Sequence, residues 1–333
     1  MSRILLLSNG HGEDLSGSLL AKYFINKGDY VDALPIVGDG ENYKKVNIKI
    51  IGKTKKFKTG GIGYNSFKGR MFEIFGGQII YFFRKLYLSY KLRNKYDFYL
   101  VIGDIVPVFF AWFAKKDFFT YLVAYSSHYE GKLKLPWPCK FFLLSKYAKN
   151  IYARDFLTAT DLTQQLRKQV AFLGNPFMDK FTCFENKINS FSFNIGLFPG
   201  SRSPELLENF KLILEVLETM SKFKYFENIA FKFALVKVIS IDKIIQILNQ
   251  RKWIQIEQKE NNAGLEFKYG FIKINLNWNL FEEILLTSQF VISMAGTASE
   301  QAVGLAKPVI QIEGKGPQFT KSFAEAQRRL LGS

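Results

Sequence analysis

Two glycine turns in the second half of the chain combine residue types that suit a phosphate ligand. They lie in residues 194–202 and 290–300, where a short apolar strand runs into a glycine turn that opens a predicted helix. Such turns direct backbone N–H groups and the positive end of a helix toward one spot, which favours an anion. In the first turn, Gly200 and Ser201 precede Arg202, whose guanidinium can bind a phosphate bidentately. We therefore predict a site for a diphosphate-bearing ligand.

The second turn admits a structural interpretation beside the functional one. Thr297 and Glu300 have the Thr-x-x-Glu spacing of a capping box, in which both side chains only close the start of a helix. Alternatively, Glu300 accepts hydrogen bonds from a ribose diol, and the amides after Gly296 face the phosphates. Further along, Gln318 could exchange hydrogen bonds with sugar hydroxyls. The sequence leaves these alternatives open.

A third glycine turn joins the first predicted strand to the first helix. Asn9, Gly10, His11 and Gly12 form it, and the Gly-x-Gly lets a ligand approach the backbone, although the full dinucleotide fingerprint is absent. His11 is one of only two histidines, and an imidazole at this position could act as a general base. It could equally be an ordinary residue at a helix start. We predict that this loop contacts the acceptor substrate.

Two further residues lie on loops after predicted strands of the first half. Asp104 follows the apolar strand 98–102, where a carboxylate could serve as a catalytic base. Aspartate is also a favoured N-cap, so a purely structural role is an equal alternative. His128 lies on a loop that we expect to face a cleft at the carboxyl ends of the strands, and the sequence shows no partner for it. No metal-ligand spacing is present, so we predict neither a metal nor a resident cofactor.

Predicted strands and helices alternate along the chain, which indicates an α/β fold with parallel sheets. The chain is long enough for two domains, which we place at 1–178 and 194–333 with a polar linker over 179–194. Two doubly wound domains facing each other would form a cleft at the carboxyl ends of their strands. The predicted strands are 3–8, 30–36, 47–51, 98–102, 119–123, 150–153, 195–198, 230–236, 255–257, 290–293 and 309–312. The predicted helices are 13–27, 67–95, 106–115, 139–147, 155–168, 204–222, 241–250, 279–287, 298–305 and 318–331.

The charge of the chain is strongly basic and unevenly distributed. The net charge is +17, and residues 44–96 alone contain fourteen Lys or Arg and one acid, Glu73. Aromatic and aliphatic residues are interleaved with these charges, a combination that an anionic membrane surface attracts. A solvated basic face is the plain alternative, and no nucleic-acid recognition motif is present. With two cysteines, no signal peptide and no apolar run beyond ten residues, we expect a cytoplasmic protein peripherally associated with the membrane.

Several segments together carry a resemblance to a known family. They resemble lipid-A-disaccharide synthase, and more closely the related family found in cyanobacteria and plants. The resemblance covers essentially the whole chain, and its motifs are residues 197–202 (Leu-Phe-Pro-Gly-Ser-Arg), 172–176 (Phe-Leu-Gly-Asn-Pro), 295–300 (Ala-Gly-Thr-Ala-Ser-Glu), 154–159, 173–179 and 294–332. It implies a GT-B-type glycosyltransferase: two Rossmann-like domains, a UDP-sugar donor held mainly by the C-terminal domain, and an acceptor held by the N-terminal domain.

The resemblance also implies roles for individual residues. Arg202, Gly296, Thr297 and Glu300 would contact the donor with Gln318 near its sugar, and Asp104 matches a region where an acid is implicated in catalysis. The first loop departs from the synthase pattern Gly-Glu-Ala-Ser-Gly-Asp and reads Gly-His-Gly-Glu-Asp, which leaves the acceptor and the base open. The chain ends earlier than the resemblance predicts, so we expect a truncated C-terminal domain.

The main hypothesis is an inverting, metal-independent transferase that moves a GlcNAc-type sugar from a UDP-sugar to a lipid or lipid-linked acceptor. One alternative is a UDP-GlcNAc 2-epimerase or hydrolase of the same fold, which needs no lipid. Another is a non-catalytic, membrane-associated protein that binds nucleotide sugars. The expected partners are a nucleotide-sugar donor, a lipid acceptor and an anionic membrane surface contacted through residues 44–96, with no nucleic acid.

Overall fold

The computed structural model describes residues 1–55, 78–128, 132–181, 193–201, 205–236, 239–256, 264–314 and 325. The chain divides into two compact units, of which the first comprises Met1–Phe177 and the second begins at Met178. Each unit contains one seven-stranded sheet with helices packed against it. The predicted α/β class with two Rossmann-like units is therefore confirmed.

The sheet of the first unit is parallel throughout, in the order β3-β2-β1-β4-β5-β6-β7. Along β1, Leu5 and Leu7 belong to one apolar cluster while Ile4 and Leu6 belong to another. Because successive side chains of a strand point to opposite faces, this sheet is covered on both sides. Its strands are β1 (Arg3–Ser8), β2 (Tyr30–Pro35), β3 (Lys49–Ile50), β4 (Phe98–Ile102), β5 (Phe118–Leu122), β6 (Ala148–Ala153) and β7 (Val170–Ala171).

Helices connect the strands of the first unit, and most of them match the predicted positions. Of the predicted helix 67–95, the structure describes a helix over Gln78–Leu92, and the predicted part before residue 78 lies outside the described residues. The sequence analysis missed β7 and the short helix α2. The helices are α1 (His11–Asn26), α2 (Glu41–Lys45), α3 (Gln78–Leu92), α4 (Ile105–Phe113), α5 (Trp137–Leu143) and α6 (Phe156–Leu166).

The sheet of the second unit is parallel over β12, β9, β8, β13 and β14 and also contains antiparallel pairs, which the sequence analysis did not predict. Its order is β10-β11-β12-β9-β8-β13-β14, and β10, β11 and β12 pair antiparallel. The hairpin formed by β11 and β12 was not predicted, although β12 lies next to β9 inside the sheet. The strands are β8 (Phe193–Phe198), β9 (Ile229–Leu235), β10 (Ile254–Ile256), β11 (Leu265–Tyr269), β12 (Ile272–Trp278), β13 (Phe290–Ser293) and β14 (Val309–Ile310).

The described helices of the second unit are α7 (Glu205–Met220), α8 (Ile241–Gln250), α9 (Phe281–Thr287) and α10 (Gly296–Gly304). Within α7, Leu206, Phe210 and Ile213 are buried at helical spacing, which fixes the face that packs on the sheet. The predicted helix 318–331 lies outside the described residues apart from Glu325. Across the described part of the chain, no helix has the length and apolar character needed to cross a bilayer.

Candidate functional site

In the second unit, the order of the strands reverses between the neighbours β8 and β13. From β8 the chain proceeds to β9 on one side, and it later places β13 on the other side. Open α/β sheets bind ligands at such a switch point, outside the carboxyl ends of the strands. Residues 199–201 follow β8 and residues 294–296 follow β13, so both predicted phosphate turns lie at this position.

The two turns are in direct contact. Phe198 pairs with Ser293 across the strands, and the Met294 N–H donates to the Phe198 carbonyl at 2.8 Å. Gly200 has φ 101°, and a Cβ atom placed on it would lie 3.3 Å from the Met294 carbonyl oxygen. Both the positive φ and this close approach favour glycine. The structure thus brings the Gly200 turn against the turn that opens α10.

Asn209, which the sequence analysis missed, holds the first of these turns. It lies in α7 and is buried, and its Nδ2 donates to the Pro199 carbonyl at 2.9 Å. Its Oδ1 is also buried and has no hydrogen-bond partner among the described residues. The available signal was an asparagine placed at helical spacing among the apolar residues of α7. Asn209 is therefore a positioning residue for the Gly200 turn.

The start of α10 differs from the predicted capping box. The helix begins at Gly296 and its N-cap is Ala295. No side chain of the described residues caps it, so the capping interpretation of Thr297 and Glu300 is wrong. Instead, Ser299 donates to the Ala295 carbonyl at 2.8 Å and orders the turn from inside. The first amides of a helix have no acceptor within the helix, so this N-terminus keeps its positive character.

Other predicted donor residues are placed only in part. Ser201 is exposed directly after Gly200, and Glu300 is half-buried within α10. Arg202 and Gln318 lie outside the described residues, so their predicted roles stay predictions.

The first unit has its own switch point, between β1 and β4. Asn9 follows β1, and Asp104 follows β4 one residue after Gly103. The Asn9 Nδ2 donates to the Asp104 Oδ2 at 3.1 Å. The structure therefore joins these two predicted residues, which lie 95 positions apart, at the same edge of the sheet.

Of the two roles that the sequence left open for Asp104, the structure shows the N-cap, and the role of catalytic base stays a prediction. It is the N-cap of α4, where its Oδ1 accepts from the Val106 N–H at 2.8 Å. The preceding amide, that of Ile105, donates to the Tyr125 hydroxyl at 3.1 Å. Side chains therefore accept from the first two amides of α4. Burial raises the pKa of Asp104 above its ordinary value, while the bonds from Val106 and Asn9 oppose that rise. A carboxylate held in this way is fixed in orientation and strengthened as a base.

Glu13, in the first turn of α1, is the functional candidate that the sequence analysis missed. Its Oε2 accepts from the Asn9 N–H at 2.6 Å, and burial followed by the charge of Asp104 raises its pKa well above the ordinary value. Gly103 has φ 133°, and a Cβ atom there would collide with the Glu13 carboxyl group. Glu13 and Asp104 therefore form a pair of neighbouring carboxyls, of which Glu13 keeps its proton more readily.

The remaining predicted residues of the first unit are Gly10, His11 and Gly12 at the start of α1, and His128 on a separate loop. Gly10 and Gly12 flank the start of α1, and Cβ atoms on either would meet no heavy atom within 4 Å, so this backbone is open to a ligand. His11 begins α1, but its side chain lies outside the described part of the structure. His128 is exposed, and its Nε2 lies 3.7 Å from the Oδ1 of Asp155. No described contact brings His128 to Asn9 or Asp104.

A buried polar network lies beneath the first loop. Ser8 donates to Asp14 at 2.6 Å, and the Tyr43 hydroxyl donates to Ser8 at 2.9 Å. Burial raises the pKa of Asp14 to about 6 and lowers the pKa of Lys85 to about 8. The positive charge of Lys85 favours the ionised form of Asp14.

No cluster of three or more His, Cys, Asp or Glu side chains suited to a metal occurs among the residues described.

The raised pKa of Asp14 predicts how stability depends on pH. The protonated form stabilises the folded state fully below pH 3.8, and this contribution is lost as the pH rises through about 6. The unfolding free energy of Asp14→Asn minus that of the wild type should therefore increase by about 2 kcal/mol as the pH is raised from 4 to 7. Urea unfolding across this range measures the change. The exposed Glu227→Gln is the control, and equal profiles for the two variants would contradict the prediction.

Two Rossmann-like units, each with its candidate residues at a switch point, define the class of protein: the chain has the GT-B fold. No protein-family profile matches the chain, and no curated protein sequence matches it significantly. The fold is therefore recognised from solved structures alone.

Three solved structures illustrate the likeness. An S. aureus MnaA–UDP co-structure has a TM-score of 0.53 at 14% identity, over 99% of this chain and 90% of that one. MurG from Acinetobacter baumannii has a TM-score of 0.50 at 13% identity, over 99% of this chain and 92% of that one. A UDP-N-acetylglucosamine 2-epimerase has a TM-score of 0.51 at 10% identity, over 95% of this chain and 80% of that one. At such identities the likeness establishes the fold.

Proposed function

We propose that this chain is an inverting glycosyltransferase, related to lipid-A-disaccharide synthase, that moves a sugar from a UDP-sugar to a lipid or lipid-linked acceptor. The observation that carries the proposal is the contrast between the two switch points. The second unit has two contacting turns and a helix start that no described side chain caps, which suits a diphosphate. The first unit has two neighbouring carboxyls, which repel a diphosphate and suit proton transfer.

The second unit would hold the donor. The amides at the start of α10 and the Gly200 turn would bind the diphosphate, with Arg202 adding a positive charge and no metal being required. Glu300 would accept hydrogen bonds from the ribose, and Gln318 would lie near the sugar. The UDP present in the MnaA co-structure of the same fold supports a uridine nucleotide. Fixed donors of this kind stabilise the charge that develops on the leaving group.

The first unit would supply the base. Asp104 would remove the proton from the acceptor hydroxyl as the hydroxyl oxygen attacks the anomeric carbon from the side opposite the departing UDP. The hydrogen bonds from Val106 and Asn9 keep the carboxylate oriented for this step. Protonated Glu13 would leave the site with a single negative charge. His11 remains the other candidate base.

An exposed apolar surface on the first unit supports binding of the acceptor at a membrane. Helices α3, α4 and α5 lie side by side, because Phe109 of α4 stacks on Phe82 and packs against Phe142. At the outside of this layer, Phe83 is 61% exposed and Trp137 is 86% exposed. Together with the basic region 44–96, part of which lies outside the described residues, these rings suit an anionic bilayer surface.

An epimerase or hydrolase of UDP-GlcNAc is the second candidate function. The solved structure of a UDP-N-acetylglucosamine 2-epimerase shares the fold of this chain, and such a reaction requires no lipid. The neighbouring Glu13 and Asp104 carboxyls could also exchange protons with a bound sugar.

Incubation with UDP-GlcNAc tests the proposal. With an acylated glucosamine phosphate in mixed micelles as acceptor, the full chain should release UDP and form a disaccharide lipid, detected by mass spectrometry. Without the acceptor, little UDP should be released. An epimerised or free sugar formed without the acceptor would replace the transferase proposal with the second candidate. Binding of UDP with no product under either condition would indicate a non-catalytic protein.

A further inference from the structure

A buried asparagine beneath the Gly200 turn differs from the apolar residues around it in helix α7. Asn209 is 3% exposed and lies one helical turn from both Leu206 and Ile213, on the buried face of the helix. Its Oδ1 is buried without a hydrogen-bond partner among the described residues. A buried acceptor without a partner is destabilising, whereas leucine, which has the same branching at Cγ, would suit these surroundings. Stability alone therefore does not explain an asparagine at this position.

Other buried polar side chains of the second unit have partners that account for them. Asn194, near the start of β8, donates from its Nδ2 to the Thr287 carbonyl at 3.2 Å and is fully buried. Ser299 is also fully buried, and its hydroxyl lies 2.9 Å from that of Ser293. The open acceptor of Asn209 is therefore not a general property of the buried polar groups in this unit.

The bond from Asn209 to the turn fixes the orientation of one peptide group. Its Nδ2 donates to the Pro199 carbonyl oxygen at 2.9 Å, and this oxygen belongs to the peptide that joins Pro199 to Gly200. In a trans peptide the N–H points opposite to the carbonyl oxygen, so this bond directs the Gly200 N–H away from Asn209. Gly200 has φ 101°, and glycine by itself would allow several conformations of the turn. Asn209 therefore determines the direction of the Gly200 N–H.

We infer that Asn209 is a positioning residue for the donor, which directs the Gly200 N–H toward the diphosphate and is retained at a cost in stability. The turn adjoins the segment that leads into α10, since a Cβ atom on Gly200 would lie 3.3 Å from the Met294 carbonyl oxygen. An N–H that is already held in place loses little conformational entropy when an anion binds. Departures from the most stable residue type are expected at functional sites. The identity of the ligand as UDP rests on the proposed function.

Asn209→Leu is expected to weaken binding of UDP and of inorganic pyrophosphate at least tenfold without lowering the urea midpoint of unfolding. The variant removes the buried open acceptor and adds apolar surface to the core, and the Pro199 carbonyl can reach solvent once the turn rotates. Titration calorimetry measures the two affinities. Asn209→Ala removes the same amide without adding a larger side chain and should weaken both ligands equally, so the result does not depend on how leucine packs.

Asn194→Leu is the matched control at the other end of β8. It replaces a buried asparagine whose amide has a partner, so its urea midpoint should fall below that of the wild type. Its affinities for UDP and pyrophosphate should stay within twofold of wild type, because Asn194 lies at the opposite edge of the sheet from the Gly200 turn. The two leucine variants should therefore show opposite patterns of stability and binding.

Wild-type affinity for pyrophosphate in both Asn209 variants would overturn the inference, as would an equal loss of affinity in Asn194→Leu. A fall in the urea midpoint of Asn209→Leu as large as that of Asn194→Leu would also overturn it, since Asn209 would then be an ordinary structural residue. A wild-type chain that binds pyrophosphate, with the expected loss in the Asn209 variants, but neither binds UDP nor transfers sugar would refute the proposed function alone. A wild-type chain that binds neither ligand would refute both.

Discussion

Replacing Asp104 by asparagine is expected to lower the turnover of sugar transfer by a factor of about 100–10,000 and to leave the protein folded. Asparagine is as good an N-cap as aspartate, so the bond from the Val106 N–H can be kept. The partner amide of Asn9 can rotate, because its Oδ1 has no hydrogen-bond partner among the described residues and can accept from the new amide. The substitution therefore removes the base without removing the cap.

The companion variant Asp104→Ala separates the two roles. It loses the cap as well as the base, so its unfolding free energy should fall by about 1 kcal/mol relative to Asp104→Asn, with similarly low turnover. Ser240→Ala removes the N-cap of α8 in the other unit and should lower stability by a comparable amount with turnover unchanged. Urea unfolding and steady-state kinetics measure the two quantities.

Two outcomes would contradict the assignment of Asp104. The first is wild-type turnover in Asp104→Asn. The second is loss of turnover in Glu13→Gln or His11→Ala while Asp104→Asn remains active, which would transfer the role of base to one of those residues. The three variants should therefore be compared at one pH with saturating donor.

A glutamate at position 297 is expected to abolish most UDP binding without destabilising the protein. Thr297 lies in the first turn of α10, whose start is not capped by any side chain within the described ranges. A carboxylate about 5 Å from a diphosphate in a partly screened environment costs about 3 kcal/mol, which corresponds to about 100-fold in affinity. The same carboxylate interacts favourably with the helix dipole, so the unfolding free energy should stay level or rise by about 0.3–1 kcal/mol.

Thr297→Gln is the matched control for this charge. It has nearly the same shape as glutamate and should weaken UDP binding by no more than about threefold, since it adds no charge. Ile241→Glu places a carboxylate at the start of α8, away from the switch point, and should not change UDP affinity. Calorimetric titration with UDP provides the comparison. Equal affinities for the glutamate and glutamine variants would show that no diphosphate lies at the start of α10.

The pattern of strand, glycine and helix was sufficient to locate the glycine turns after β1, β4, β8 and β13, whereas the switch points depend on the strand order, which the sequence did not show. Strands 98–102 and 290–293 were predicted at their observed bounds, because short apolar runs followed by glycine are local signals. Whether Asp104 capped a helix or served a site could not be decided from spacing. The structure shows the cap, together with a second bond from Asn9 that only the sheet order creates.

The hairpin of β11 and β12 was missed for a physical reason. Its strands alternate buried residues, such as Phe267 and Ile274, with Lys and Asn side chains, so their mean hydropathy is low. The period-two alternation and Gly270, which has φ 56° at the turn, were the signals that could have revealed it.

The sequence contained fewer signals for a functional role of Glu13. Its raised pKa depends on burial and on Asp104, which lies 91 positions away.

The outermost strands of both sheets are very short. In the first unit β3 and β7 each contain two residues, and in the second unit β14 contains two and β10 three. An edge strand exposes unpaired backbone groups that another molecule can extend into a continuous ladder, and the extent of that template grows with the length of the strand. In the strands that the structure describes, an incoming chain would find only a few free amides and carbonyls at each margin. Once the chain is folded, these described edges offer a poor template for edge-to-edge association, which matters for a protein that is 48% hydrophobic.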